Sequence, residues 1–331
     1  MHTELAARLT CLAPALASGG QGIANLQRLT GGASLQTWAF DVVGLNGTRP
    51  LILRRRQAVA ETVFETSLPL RIEAQLLRGA DTAGVPVAKV VRDCPVEDGL
   101  DEALVLERVE GETLGRRIVT SPDFSAAREV LGRQCGEALA RVHAMPLNTL
   151  PTLERLDAAA TLARYEDIHR RSGAVRPVIE AALRHLAASL PAPVPSRLIH
   201  GDFRNGNLIV DGRSGLCAVL DWELTHLGDP AEDFGWLCVN SWRFGATEKP
   251  VGGFATLEAL VAGYRAEGGE PPAQERIRFW MMMGSLRWSV IADMMYRAFA
   301  AGEDRSLERA VIGRRVSECE VDLLTLMETA G

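Results

Sequence analysis

Lysine is almost missing from this chain: only Lys89 and Lys249 stand among the 36 lysines and arginines in 331 residues. Aspartate and glutamate together number 42, which leaves a net charge of −6 and no electrostatic footprint for nucleic acid. The six cysteines, at 11, 94, 135, 217, 238 and 319, include no C-x-x-C pair. Their spacing fits neither a disulfide framework nor a zinc site; free thiols in a reducing cytosol are the simpler reading, so a cytoplasmic location is expected. There is no G-x-S-x-G elbow and no H-E-x-x-H, so neither usual hydrolytic arrangement is suggested. No repeat with a period of 20–50 residues and no low-complexity block stands out. Long apolar runs are lacking too. The most apolar late stretch, Phe279 to Met295, contains Arg287 and Asp293 and falls short of a membrane span.

What is present is ordinary for a globular chain, with 47% hydrophobic and 24% charged residues, enough to bury a sizeable core. Ala15-Leu16-Ala17 before Ser18 looks faintly like a signal-peptidase site, but the stretch opens with Glu4, and Arg8 interrupts the apolar run. Leu5, Leu9, Leu12 and Leu16 recur at helical spacing with Gly19-Gly20 as a stop, which predicts an amphipathic first helix.

The first hundred residues read as strands around one helix. Thr37 to Val43 and Pro50 to Arg54 look like two strands joined around Gly44-Leu45-Asn46-Gly47. Leu70 to Ala80 reads as a helix, and Val85 to Val91 and Ala103 to Val109 as further strands around the acidic turn Glu97-Asp98-Gly99. After Gly111 a helical period takes over at Phe124 to His143. It recurs at about 157–189, 255–268 and from 275 onward, interrupted by a strand-rich island from Leu198 to Trp222. A β-rich part at 1–106, a hinge at 107–111 and a helical part at 112–331 are therefore expected.

The strongest signal is His200-Gly201-Asp202-Phe203-Arg204-Asn205-Gly206-Asn207. Asp followed by four residues and then Asn is the spacing of the kinase catalytic loop. Phosphoryl transfer needs a carboxylate beside the attacking hydroxyl and, a few residues on, an amide oxygen to hold Mg²⁺ against the triphosphate. Asp202 and Asn207 are the candidates for these roles. Read blandly, Asp, Asn and Gly are turn formers. The context favours chemistry: after Leu208-Ile209-Val210 and a turn at Asp211 to Gly215, the strand Cys217-Ala218-Val219-Leu220 delivers Asp221. A hairpin of this length returns Asp221 to the end where a second metal-binding carboxylate is required.

Asp233-Phe234-Gly235 spells the D-F-G of protein kinases literally. No apolar strand runs into Asp233, and it lies outside the hairpin. Gly228-Asp229-Pro230 reads instead as a turn into a helix, with Asp229 as N-cap and Pro230 at the first position, so a structural role is expected for Asp233.

His200-Gly201-Asp202 through Asn207, Leu220-Asp221-Trp222-Glu223, Gly228-Asp229-Pro230 and Asp233 together resemble the signature of the aminoglycoside phosphotransferase and choline kinase-like superfamily. Phe279-Trp280, Leu286-Arg287-Trp288 and Gly313-Arg314-Arg315 further resemble its bacterial branch related to kinase domains fused to acyl-CoA dehydrogenases. The resemblance implies an α+β, protein-kinase-like two-lobed fold, with a β-rich first lobe and a mainly helical second. It also implies ATP and Mg²⁺ as cofactors and a small-molecule hydroxyl acceptor; the charge balance and the lack of a spanning apolar run lead to the expectation of no nucleic-acid or membrane partner.

The same resemblance points to residues in the first lobe. Leu29 to Ser34 is similar to the family's phosphate-covering loop, with Gly31 and Gly32 allowing close backbone approach and Ser34 adding a donor. Protein kinases use a strand lysine to pair the phosphates; here Leu51-Ile52-Leu53-Arg54 holds the corresponding place. Arg54 is thus expected to bridge the phosphates and Glu73 on the following helix. Arg55 and Arg56 leave the register open, with alternation favouring Arg54 or Arg56. Glu107 and Val109 fall where main-chain groups would recognise adenine. Arg204 reads either as a contact to the transferring group or as a brace for the loop, and Glu223 either as a contact to a magnesium-bound water or as support. Trp236, Trp242, Trp280 and Trp288 read either as walls of an acceptor pocket or, the safer reading, as buried core, and His200 as holding the loop. The alternative to an enzyme is an inactive pseudokinase that acts as a nucleotide-binding or partner-binding module, for which the missing strand lysine is the best support.

Overall fold

The computed structural model describes residues 2–29, 35–56, 67–303 and 306–329, and these fold as two compact units. Unit 1 comprises Met1–Gly111 with the short returns Asn148–Thr152 and Cys217–Leu224; unit 2 comprises Glu112–Leu147, Leu153–Leu216 and Thr225–Gly331.

In unit 1 the leucine spacing forms α1 (His2–Leu16). Its buried side, Leu5, Leu9, Ala13 and Leu16, packs with Trp38, Phe40, Val42, Leu51, Leu53 and Val105, each buried large side chain stabilising by on the order of 1.5–3 kcal/mol. Five strands follow: β1 (Gly20–Arg28), β2 (Gln36–Gly44), β3 (Gly47–Arg56), β4 (Val90–Cys94) and β5 (Glu102–Glu107). They make an antiparallel sheet in the order β1-β2-β3-β5-β4. Along β3 the side chains alternate, so Leu51 and Leu53 enter the core while Arg54 lies on the opposite face. The helix α2 (Leu70–Thr82) buries Leu70, Glu73, Ala74, Leu76, Leu77 and Ala80.

The expected strand at Val85 to Val91 is displaced, since β4 begins only at Val90. Val85 N–H closes the end of α2 on the Ala80 carbonyl, Pro86 has no N–H to give to a ladder, and its carbonyl accepts from Val219 N–H. The apolar character of Val85 and Val87 reflects burial, not sheet pairing. Likewise β5 stops at Glu107, short of Val109.

Unit 2 is helical: α3 (Gly115–Thr120), α4 (Ser125–His143), α5 (Ala158–Ser172) and α6 (Pro177–Ala188) precede the strand island. The periodic stretch expected over 157–189 is two helices, because Gly173 ends α5 in the left-handed conformation, at φ 66°. The island contains β6 (Arg197–Ile199), β7 (Leu208–Asp211), β8 (Gly215–Val219) and β9 (His226–Gly228), with β6 pairing antiparallel to β9. The chain passes into unit 1 partway along β8. Then come α7 (Ala231–Leu237), α8 (Leu257–Ala266), the long α9 (Gln274–Ala300), α10 (Leu307–Gly313) and α11 (Val316–Glu328). The core joins Leu162, Ile179, Leu183 and Leu186 to Phe279, Trp280, Met283, Leu286 and Leu323. Asp229 anchors the start of α7, accepting from Ala231 N–H, Arg276 Nε and Trp280 Nε1. Among the described residues no helix is long and apolar enough to cross a membrane.

Candidate active site

Unit 1 gathers one cation and three carboxylates. Arg54, on β3, donates through Nη1 to Oε1 of Glu73 on α2 and through Nη2 to Oδ1 of Asp221 at 2.7 Å. Of the three consecutive arginines, Arg54 is therefore the one that meets Glu73. Arg55 pairs with Asp101 and Arg56 with Glu102. Asp221 follows β8 in the left-handed region, at φ 67°, a conformation Asp tolerates better than most side chains. Glu73 is fully buried, and its Oε2 lacks a hydrogen-bond partner among the described residues. Burial pushes the Glu73 carboxyl up to about 7; Arg54 pulls it down, and the charges of Asp221 and Glu223 add to the rise. Burial alone would lower Arg54, but Glu73, Asp221 and Glu223 together hold it above its ordinary value.

Also in unit 1, Glu107 ends β5; its N–H donates to the Lys89 carbonyl and its carboxylate accepts from Arg49 at 2.8 Å. Val109 follows, half-buried. Gly31, Gly32 and Ser34 lie outside the described residues.

Unit 2 contains the loop from His200 to Asn207. Gly201 and Gly206 turn it, at φ 80° and 118°, values at which a Cβ would be strained. Asp202 is held by three donors. Arg204 Nε at 3.0 Å and Trp236 Nε1 at 2.7 Å both reach Oδ1, and Asn207 Nδ2 reaches Oδ2 at 2.6 Å. Asn207 Nδ2 also donates to the Asp202 carbonyl at 3.0 Å. Both amide hydrogens of Asn207 are thus engaged, leaving the lone pairs of its Oδ1 as its remaining polar function. Arg204 lies over the Trp242 ring, 4.5 Å from its centroid.

Asp233 fastens the loop from beneath. Fully buried on α7, it accepts from the N–H groups of His200 at 2.8 Å and Gly201 at 3.0 Å, and it contacts His143 Nε2 at 3.1 Å. His143 Nδ1 in turn meets the Tyr264 hydroxyl at 3.0 Å. Burial would raise the Asp233 carboxyl, but the hydrogen bond and charge of His143 and the contacts from His200 more than reverse this and hold it low. Arg287, buried on α9, donates to the Gly201 carbonyl at 2.9 Å and stacks on Trp236. His200 Nδ1 accepts from Asp202 N–H at 3.2 Å. Asn205 donates to the Gly252 carbonyl at 2.7 Å.

The structure thus brings Arg54, Glu73 and Asp221 together in one unit, and Asp202, Arg204 and Asn207 in the other. Sequence reasoning missed His143, Tyr264, Arg287 and the polar use of Trp236. The only trace of His143 was a lone histidine closing an amphipathic helix. Among the described residues no group of three or more His, Cys, Asp or Glu side chains forms a metal cluster.

Known proteins resemble this chain in sequence and in fold. A mouse acyl-CoA dehydrogenase family member 10 is 24% identical over 281 residues, covering 78% of this chain but only 25% of the mouse protein. Viomycin phosphotransferase of Streptomyces vinaceus is 29% identical over 268 residues, covering 70% of this chain and 87% of that enzyme. The solved structure of a Ralstonia eutropha protein classed with the aminoglycoside phosphotransferases superposes with a TM-score of 0.70 at 19% identity, covering 98% of both chains. The fold is therefore the α+β, protein-kinase-like one. The model of the phosphotransferase enzyme family matches residues 25–279, and the chain belongs to that family.

Proposed function

We propose that the protein is a small-molecule kinase that moves the γ-phosphoryl group of magnesium-ATP to a hydroxyl of a small acceptor. The observation that carries this reading is the Asp202–Asn207 pair: a carboxylate with three donors on it, beside an amide whose hydrogens are both engaged. A carboxylate presents about four lone-pair positions, so one remains open, on Oδ2. There the acceptor O–H delivers its proton. Its oxygen attacks the γ-phosphorus, the bond from that phosphorus to the β–γ bridging oxygen breaks, and ADP leaves with the electron pair.

Arg54, held by Glu73, pairs the phosphates as a permanent, forked cation. Main-chain groups at Glu107 and Val109 recognise adenine, and the resemblance assigns phosphate contact to Gly31, Gly32 and Ser34, which lie outside the described residues. Asn207 Oδ1 in unit 2 and the Asp221 carboxylate in unit 1 would each serve as a magnesium ligand. Their chemistry fits, since this ion takes oxygen donors and keeps several waters. Bound magnesium supplies charge neutralisation at the phosphate oxygens.

Asp202→Ala is expected to lower kcat by about 10²–10⁴-fold while ATP binding, followed with a fluorescent nucleotide, stays within about threefold. Full turnover in that variant would remove the base assignment. The second reading is a pseudokinase, and it rests on arginine in place of the strand lysine. Arg54 makes the ion pair with Glu73 that the lysine would make, which favours the enzyme. Magnesium-dependent ATP consumption across a panel of hydroxyl acceptors separates the two; nucleotide binding with no turnover on any acceptor supports the pseudokinase.

A further inference from the structure

We propose that Trp236 is a positioning residue for phosphoryl transfer, aiming the open lone pair of Asp202 at the acceptor hydroxyl through its indole N–H. The inference rests on the reading of Asp202 as the base. Three tryptophans cluster in unit 2, with Trp236 and Trp242 ring centroids 5.2 Å apart and Trp242 and Trp288 4.8 Å apart. A buried indole N–H ordinarily finds an acceptor. Those of Trp242 and Trp288 are buried with no partner among the described residues. The indole N–H of Trp236 is satisfied, and its acceptor is the carboxylate of Asp202, at 2.7 Å.

The direction of that N–H is fixed by packing. Trp236 is 3% exposed, and the Arg287 guanidinium lies 4.2 Å from its ring centroid. Two glycines let α7 and α9 approach closely around the ring. A Cβ on Gly235 would stand 2.5 Å from the Trp280 backbone. One on Gly284 would stand 2.7 Å from Val239 Cγ2 and 3.1 Å from Trp236 Cε3. The indole therefore cannot swing away from Asp202 without opening the contact between the two helices.

The consequence lies in which oxygen of Asp202 is open. Trp236 and Arg204 both donate to Oδ1, while Oδ2 takes one donor, Asn207. Removing the indole N–H leaves one donor on each oxygen, so both become open and the carboxylate loses one of the three contacts that fix its rotation. Arg204 alone cannot restore the order, because its guanidinium is already placed by stacking on Trp242.

The test is Trp236→Phe, which keeps an aromatic ring and deletes the donor. A hydrogen bond to a charged group sets the scale, and kcat is expected to fall roughly 10- to 100-fold. The KM values for ATP and acceptor should stay within about twofold. Trp288→Phe, outside this contact, keeps kcat within about twofold and serves as the control. The decisive arm is the double variant: in an Asp202→Asn background, Trp236→Phe costs nothing further, because the contact has already lost its purpose. An undiminished kcat in folded Trp236→Phe overturns the proposal, as does an equal fractional loss in both backgrounds, which marks a merely structural role. If Asp202→Asn itself turns over fully, the base assignment fails and this inference goes with it. Should Trp236→Phe unfold, benzothienylalanine at 236 carries the same test, since it retains the fused rings without the N–H.

Discussion

Asp202 in unit 2 and Asp221 in unit 1 both sit just beyond short strands, yet their surroundings differ in kind. The Asp202 carboxylate, 14% exposed, receives an indole, a guanidinium and an amide, and its loop is tied down by a buried aspartate. The Asp221 carboxylate, 32% exposed, sits in a left-handed backbone and shares one guanidinium with Glu73. Hydrogen bonds from fixed donors cost nothing at the moment of reaction, because the dipoles already point the right way. A single cation facing several carboxylates leaves negative charge uncompensated, which the proposed magnesium would neutralise. The contrast separates a carboxylate whose donors are already in place from one whose charge is only partly compensated.

The largest effect is expected where the Asp202 loop loses its anchor. Asp233→Ala strands two buried loop amides and His143 together. Removing one member of a buried charged network costs about 3–5 kcal/mol, a fall in Tm of about 10 °C for a unit of this size. Activity should fall with it, since the same amides carry Asp202. A variant that melts like the wild type would show that the loop keeps its shape without this anchor.

Next comes the carboxylate pair of unit 1. Arg54→Met removes the ion-pair partner that Glu73 and Asp221 share and is expected to lower kcat/KM for ATP by about 10²-fold. Arg54→Lys restores the charge without the fork that spans two carboxylates and should recover to within roughly tenfold of the wild type. Equal losses in both variants would mean that geometry, not charge, decides this position.

Much of this was legible in the sequence because the chemistry is local there. The spacing of Asp202 and Asn207 and the position of Arg54 on an alternating strand are patterns of neighbouring residues. What was hidden depends on distant pairs. Asp233 and His143 are 90 positions apart and Trp236 and Asp202 are 34 apart, and no period relates them. Trp236 reads as core by composition; only the direction of its N–H gives it a polar task. Asp233 read rightly as structural, but a carboxylate that accepts backbone N–H groups leaves no side-chain pattern to show what it holds. The strand near Val85 was misplaced for a related reason. Apolar runs report burial, and Pro86 breaks the ladder that burial alone would suggest.

The smallest expected effect is also the most direct probe of the partly compensated carboxylates of unit 1. Glu73 has a folded-state pKa raised to about 7, by burial first and then by the charges of Asp221 and Glu223. The unfolded chain releases this proton near the ordinary glutamate value of about 4.3. Between those values the folded protein holds a proton that the unfolded chain has lost, so stability from this group is full at low pH and declines as pH rises toward 7. Glu73→Gln removes the titration while keeping the shape and a neutral contact for Arg54. The Tm of the ligand-free variant should therefore fall less than that of the wild type between pH 5 and 8 (about the range the shift spans). At the upper end the variant should match or slightly exceed the wild type, since an incompletely compensated buried charge is itself a cost. Thermal unfolding of both proteins at several pH values measures the difference. Parallel curves would mean that Arg54 fully compensates Glu73 without a ligand, and the contrast between a carboxylate with its donors in place and a partly compensated one would be lost.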